Sequence, residues 1–457
     1  MIRVDRAAPP VPVVSAPFRF PAIHRRRLSN GLDLRVVVHR GVPVVSAVLM
    51  VRGGTASDPV GREGLAAFTA DLLDEGSGGR SALQVADEMA RYGADLEVDV
   101  GPDATLLSLS TLSRYARQSL TLVAEMAIMP NLADADIERV RKLRLERLRQ
   151  LRDHAPAIAE RALVRVLYGA HPYGHLSLGS EESLSATTIA DIRGFHRGTF
   201  VPAGTVLVIT GDAEEDDLVA MADMAFGAWE VGEPSRVDTQ AGGQEPQAMP
   251  AQRLTLVPRP DAAQSELRIA HVSASRTTPD YHALVVLNTI LGGQFVSRVN
   301  LNLRQDKGYT YGARTGFDLR RGRGPFALQT SVQSDKTVPA IRESLREIAD
   351  IRGPRPATAE ELAIAKASVT LGYPRGFETA QQVARGAAHL ALHELPDTYF
   401  EEFVPRVEAV TGSDVTRVAA DYLDLARMAT VIVGDPGRIG PELATLGDAV
   451  IVSAEAL

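Results

Sequence analysis

His389 and His393 stand four residues apart in a run, Thr379 to Leu395, whose pattern predicts a helix. That spacing puts both imidazoles on one helix face, within reach of a single ion. No base or third ligand is fixed by spacing beside them, so the pair reads as scaffold histidines. Cysteine is absent, which excludes thiolate zinc sites, iron–sulfur clusters, disulfides and a cysteine nucleophile. Gly53-Gly54 and Gly292-Gly293 lack the Gly-x-x-x-x-Gly-Lys pattern of a phosphate loop. Arg320-Arg321-Gly322-Arg323-Gly324 reads as a solvated basic hairpin tip. Arg139 to Arg152 reads as an amphipathic scaffold helix, with Val140, Leu143, Leu145, Leu148 and Leu151 as its apolar residues and a basic outer face.

These residues sit in a chain of 457 residues that is 45% hydrophobic and 23% charged, ordinary values for a globular protein. Lys+Arg 49 against Asp+Glu 57 gives a net charge of −8, which argues against nucleic acid as a partner. No apolar stretch approaches the ~20 residues that span a bilayer, so no membrane partner is expected. Met1 to Phe20 has no continuous apolar core of the kind a secretory signal needs. The cytoplasm is the expected compartment, with the periplasm as the alternative if a signal has been removed.

An internal repeat organises the chain. Thr205-Val-Leu-Val-Ile-Thr-Gly211-Asp212 returns as Thr430-Val-Ile-Val-Gly434-Asp435, with the Gly-Asp pairs 223 residues apart. Thr188-x-x-Asp191 and Thr411-x-x-Asp414 share that offset. So do Gly93-Ala-Asp-Leu96…Gly101-Pro102 and Gly316-Phe-Asp-Leu319…Gly324-Pro325. The Thr-x-x-Asp pairs predict helix starts, the β-branched runs buried strands, and the Gly-Pro pairs hairpin turns. The order of elements predicts an α+β fold with two homologous domains, each a mostly antiparallel sheet with helices packed on one face. The expected boundaries are 1–237 and 253–457. Asp238 to Gln252, polar and rich in Gly, Pro and Gln, is the expected linker.

Leu28-Ser-Asn-Gly31, Gly53-Gly54…Asp58-Pro59, Gly64-Leu-Ala66 and His171-Pro-Tyr-Gly174 occur in order in the first half. Leu291-Gly-Gly293…Ser297-Arg298 and Leu303-Arg304-Gln-Asp-Lys-Gly308-Tyr-Thr-Tyr311-Gly312 follow in the second. Together these resemble the pitrilysin and mitochondrial processing peptidase family, the inverzincins, over nearly the whole chain. The resemblance implies a molecule that forms half of a clamshell. It also implies that His171 and His175 belong to a packing loop. The family's chemistry needs His-x-x-Glu-His on a helix, two zinc ligands flanking a base. Here those positions fall on Ala67, Ala70 and Asp71, and the nearest acid for a distal ligand is Glu146. Both histidines and the base are missing, so no metal is expected in this chain.

The resemblance also implies that an Arg and a Tyr seven residues later project from the second half toward the substrate. Arg304 and Tyr311 occupy those positions, with Gly312 beside them. A permanent cation and a phenol can stabilise a developing oxyanion without a metal of their own. Some family members divide the labour between two subunits, one with the zinc motif and one with the Arg/Tyr pair. The chain looks like the second kind: inactive alone, and part of a metallopeptidase with a homologous zinc-bearing partner that cuts unfolded peptides. The alternative is an inactive structural or peptide-binding scaffold subunit.

Overall fold

The computed structural model describes residues 18–232, Pro246 and 253–457. The expected linker therefore lies outside the described residues, apart from Pro246. Each half of the described chain builds a six-stranded sheet. The first uses β1 (His24–Arg27), β2 (Asp33–Val38), β3 (Val44–Arg52), β4 (Asp95–Val100), β5 (Ala104–Leu112) and β6 (Val206–Gly211), in the order β1-β2-β6-β3-β5-β4. The second uses β7 (Leu254–Pro258), β8 (Gln264–Val272), β9 (Thr310–Phe317), β10 (Pro325–Gln333), β11 (Ala429–Gly434) and β12 (Val450–Ile451), in the order β12-β7-β11-β8-β10-β9. β2 and β6 run parallel, as do β7 with β11 and β12; all other neighbours are antiparallel.

Five strands of each sheet thus share one topology, β2-β6-β3-β5-β4 matching β7-β11-β8-β10-β9, and the repeat has a physical form; the sixth differs, β1 preceding β2 and antiparallel to it, β12 coming last and parallel to β7. β6 and β11 hold equivalent places and keep the 223-residue offset. Thr188 opens the helix Ile189–Thr199, and Thr411 opens Gly412–Tyr422. Each Thr hydroxyl accepts from the Asp amide, at 3.1 and 3.2 Å, and each Asp carboxylate accepts from the Thr amide, at 2.8 and 2.9 Å. The third match does not survive in register. Gly93 caps the helix Ala82–Tyr92, whereas Gly316 lies inside β9. The turn before β10 covers 318–324, against 101–103 before β5, because a hairpin loop can lengthen without disturbing its strands.

Each half packs its own helices on one face of its sheet, as expected. The second face is also covered, by a helix from the other half. Ala155–Tyr168 lies on the second sheet, burying Ala159, Leu163 and Leu167 against Ala429, Val431 and Val433. Ala380–Leu392 lies on the first, burying Val383, Ala387 and Ala391 against Val48, Val206 and Val208. This exchange explains why β6 and β11 are buried at every position. Alternate side chains point to opposite faces, so a strand with both faces covered reads as a continuous apolar run. Among the described residues no helix is long and apolar enough to cross a membrane.

Candidate functional site

The zinc-motif positions lie on a short helix, Leu65–Ala70, with Asp71 as its cap. Several motif residues exist to place this helix. Gly64 opens it at φ 92, a left-handed conformation that suits glycine. The Asp58 carboxylate, whose side chain has 0% exposure, accepts from the amides of Gly64 and Ala66, each at 2.7 Å. His175 Nε2 meets the same carboxylate at 3.0 Å. The loop holding His171 and His175 therefore packs, as the resemblance implies. Burial raises the Asp58 pKa, against the hydrogen bond from His175.

The helix is retained, but its metal chemistry is not. Ala67 and Ala70 are buried and carry no donor atom. Asp71 is engaged by the Arg144 guanidinium, which also donates to Ser177 O at 2.7 Å. A fixed cation beside the one carboxylate at the motif positions opposes a second cation there. Glu146 is exposed, two residues and so about 200° around the helix Asp134–Leu151 from Arg144. The residues present do not fit zinc. Among the described residues no group of three or more metal-ligating side chains converges elsewhere either. The expected apolar stripe of this helix also needs correction. Leu143 is 53% exposed, and Arg144 takes the buried position between Val140 and Leu148, drawn in by Asp71. Asp71→Ala should cost ~1 kcal/mol, modest because the carboxylate is half exposed; a urea titration measures it.

His393 is buried and His389 half-buried. Their rings lie 4.5 Å apart, and His389 Nε2 accepts from Arg276 Nε at 3.1 Å. Burial, with Arg276 nearby, pushes His389 down to about 4, and burial with His389 itself pushes His393 to about 3. The unfolded chain then binds more protons than the folded one below the ordinary histidine pKa. Stability is present near pH 7 and is lost as pH falls through ~6.5 toward 4. His389→Gln should remove roughly 2 kcal/mol of the loss between pH 7 and pH 4.5, read from denaturant titrations at both pH values.

The basic hairpin tip is not a solvated turn. Arg320 is largely covered and stands over the rings of Tyr173 and Tyr168, at 4.8 and 5.5 Å. Asp103, from the first half, accepts from Tyr173 OH at 2.5 Å and from the Arg321 amide at 2.9 Å. The tip fastens the two halves together, because cation–ring stacking and main-chain donors found partners there.

Arg304 and Tyr311 both stand on irregular backbone. Arg304 lies in a π-helical segment, Leu301–Asp306, where Lys307 N reaches back to Asn302 O at 3.0 Å. Tyr311 and Gly312 lie where the β9–β10 ladder slips between Thr330 and Val332, a bulge that turns Tyr311 outward to 87% exposure. Such interruptions re-aim side chains and occur often at functional sites. Arg304 and Gly312 line one cavity of about 520 Å³ on the open edge of the second sheet. Tyr311 is not among its lining residues. Gly292 also lines the cavity, and its backbone packs so closely on β9 that a Cβ there would meet Thr315 Oγ1 at 2.4 Å. The Arg304 guanidinium lies 4.5 Å from the centre of the Phe295 ring. The π-segment and the bulge carry no sequence signature; only the resemblance pointed to these residues.

Comparison with known proteins agrees with this architecture. A family model described as "Insulinase (Peptidase family M16)" matches residues 35–180, and one described as "Peptidase M16 inactive domain" matches 186–369. An uncharacterized zinc protease of Mycobacterium bovis is 28% identical over 420 residues, 91% of this chain and 94% of its own. An uncharacterized zinc protease of Bacillus subtilis is 24% identical over 291 residues, 63% and 68% of the two chains. Among solved structures, a peptidase M16 inactive domain from Pseudomonas fluorescens superposes with a TM-score of 0.84 at 24% identity, covering 90% of this chain and 98% of its own. A protease from Helicobacter pylori gives 0.83 at 18% identity, covering 91% and 100%. Two models of one family together span nearly all of residues 35–369, and the chain belongs to peptidase family M16, as a member whose zinc-motif positions hold no histidine.

Proposed function

We propose that this chain is the non-zinc-binding subunit of a heterodimeric zinc-dependent oligopeptidase. It supplies Arg304 and Tyr311 to bind the substrate and to stabilise the oxyanion in its partner's active site. The partner is a homologous chain with an intact His-x-x-Glu-His, which holds the zinc. One observation carries the reading. The metal positions are filled by Ala67, Ala70 and an Asp71 tied to Arg144, while Arg304 and Tyr311 stand exposed on the opposite half, with Arg304 against an open cavity.

The chemistry of the pair suits that role. The guanidinium of Arg304 offers several hydrogen-bond donors in one plane. Tyr311 offers a single O–H from an exposed ring. Donors held on rigid backbone need little reorganisation as negative charge develops on a carbonyl oxygen. Gly312 leaves the β9 edge clear for a peptide main chain to approach. The metal content of the complex tests the division of labour. One zinc per heterodimer, with none retained by this chain when purified alone, is the expected result. Stoichiometric zinc in the lone chain would overturn it.

A further inference from the structure

Charge is distributed unevenly around the cavity beside Arg304. Glu266 is its one acidic lining residue. That carboxylate is already engaged by Arg268 and by the hydroxyl of Ser331, and its side chain is only 8% exposed. Arg314 also lines the cavity from β9. Its Nη2 donates to Gln329 Oε1, a neutral group, at 3.2 Å. Gln329 faces Arg314 across the ladder and holds the guanidinium at the cavity. Among the described residues, neither Arg304 nor Arg314 has a carboxylate partner. The cavity therefore presents two uncompensated guanidinium groups in a chain whose net charge is −8.

We propose that this cavity is a subsite for a peptide carboxylate, with Arg314 as the residue that selects it. The inference rests on the reading of Arg304 as substrate-facing. It adds the class of group that the neighbouring subsite takes. A planar guanidinium matches a carboxylate with two parallel hydrogen bonds, and a cavity with one acid already neutralised does not repel it. The carboxylate can come from an Asp or Glu side chain or from a free peptide C-terminus, and either presents the same two oxygens.

The site lies wholly within this chain, so binding can be measured without a partner. The probes are three short fluorescein-labelled peptides: one with a central Glu and an amidated C-terminus, its Gln counterpart, and that Gln peptide with a free C-terminus. Fluorescence anisotropy at low ionic strength reads the affinities. The Glu peptide, the free-terminus peptide or both should bind about tenfold more tightly than the amidated Gln peptide. Whichever is preferred identifies the source of the carboxylate. R314Q should reduce that preference to about threefold, since Arg304 remains. Arg314 is exposed, so the variant should melt at the wild-type temperature. Equal binding of all three peptides, including none at all, overturns the proposal, as does full preference in R314Q. Failure here leaves cleavage by the mixed complex untouched. Failure of the mixed complex leaves this preference standing, as a property of a peptide-binding chain.

Discussion

Arg304→Ala or Tyr311→Phe, in a complex reconstituted with a zinc-bearing homologue, is expected to lower turnover by about 10²–10³. Loss of one donor to a developing oxyanion has that size because the donor is aimed where negative charge appears in the transition state. The loss should fall on kcat more than on KM, since the contact strengthens in the transition state. Both side chains are exposed, so thermal melts of the variants should match the wild type. Steady-state kinetics on a neutral peptide checks the result. Wild-type turnover from either variant removes that residue from the role assigned to it.

Asp58→Ala is expected to destabilise the fold by ~3–4 kcal/mol. The carboxylate is fully covered and accepts from the amides of Gly64 and Ala66 and meets His175. Alanine leaves the two amides and the imidazole without their acceptor, and each unsatisfied buried group costs about 1–3 kcal/mol, with partial relaxation. The same change releases the start of the helix Leu65–Ala70. Chemical denaturation measures the loss, and a change under ~1 kcal/mol would contradict this account of the helix. The result separates two uses of the family's residues. Asp58, Gly64 and His175 maintain a scaffold whose metal ligands are gone.

Much of the fold was legible because local rules and the repeat agree. The Thr188–Asp191 and Thr411–Asp414 boxes are short-range hydrogen bonds, and the β6 and β11 runs state their double burial in composition. What stayed hidden depends on contacts distant in sequence. Arg144 is inside and Leu143 outside because Asp71 lies 73 residues away from Arg144 to receive it. Arg320 is covered because Tyr168 and Tyr173 from the other half offer their ring faces. The exchange of Ala155–Tyr168 and Ala380–Leu392 between the sheets is likewise invisible to periodicity, which shows an apolar face but not its partner. At the candidate site, the resemblance supplied Arg304, Tyr311 and Gly312. Arg314 and Gln329 entered only once cross-strand pairing set them side by side.

If this chain completes an active site it cannot form alone, neither it nor its partner should cut peptides efficiently without the other. Peptide cleavage by this chain, by the zinc-bearing homologue, and by their equimolar mixture tests it most directly. Expected are negligible cleavage by this chain, cleavage by the mixture at least about 10²-fold above either subunit, and its loss on adding a chelator. A mixture no faster than the zinc-bearing subunit alone would contradict it.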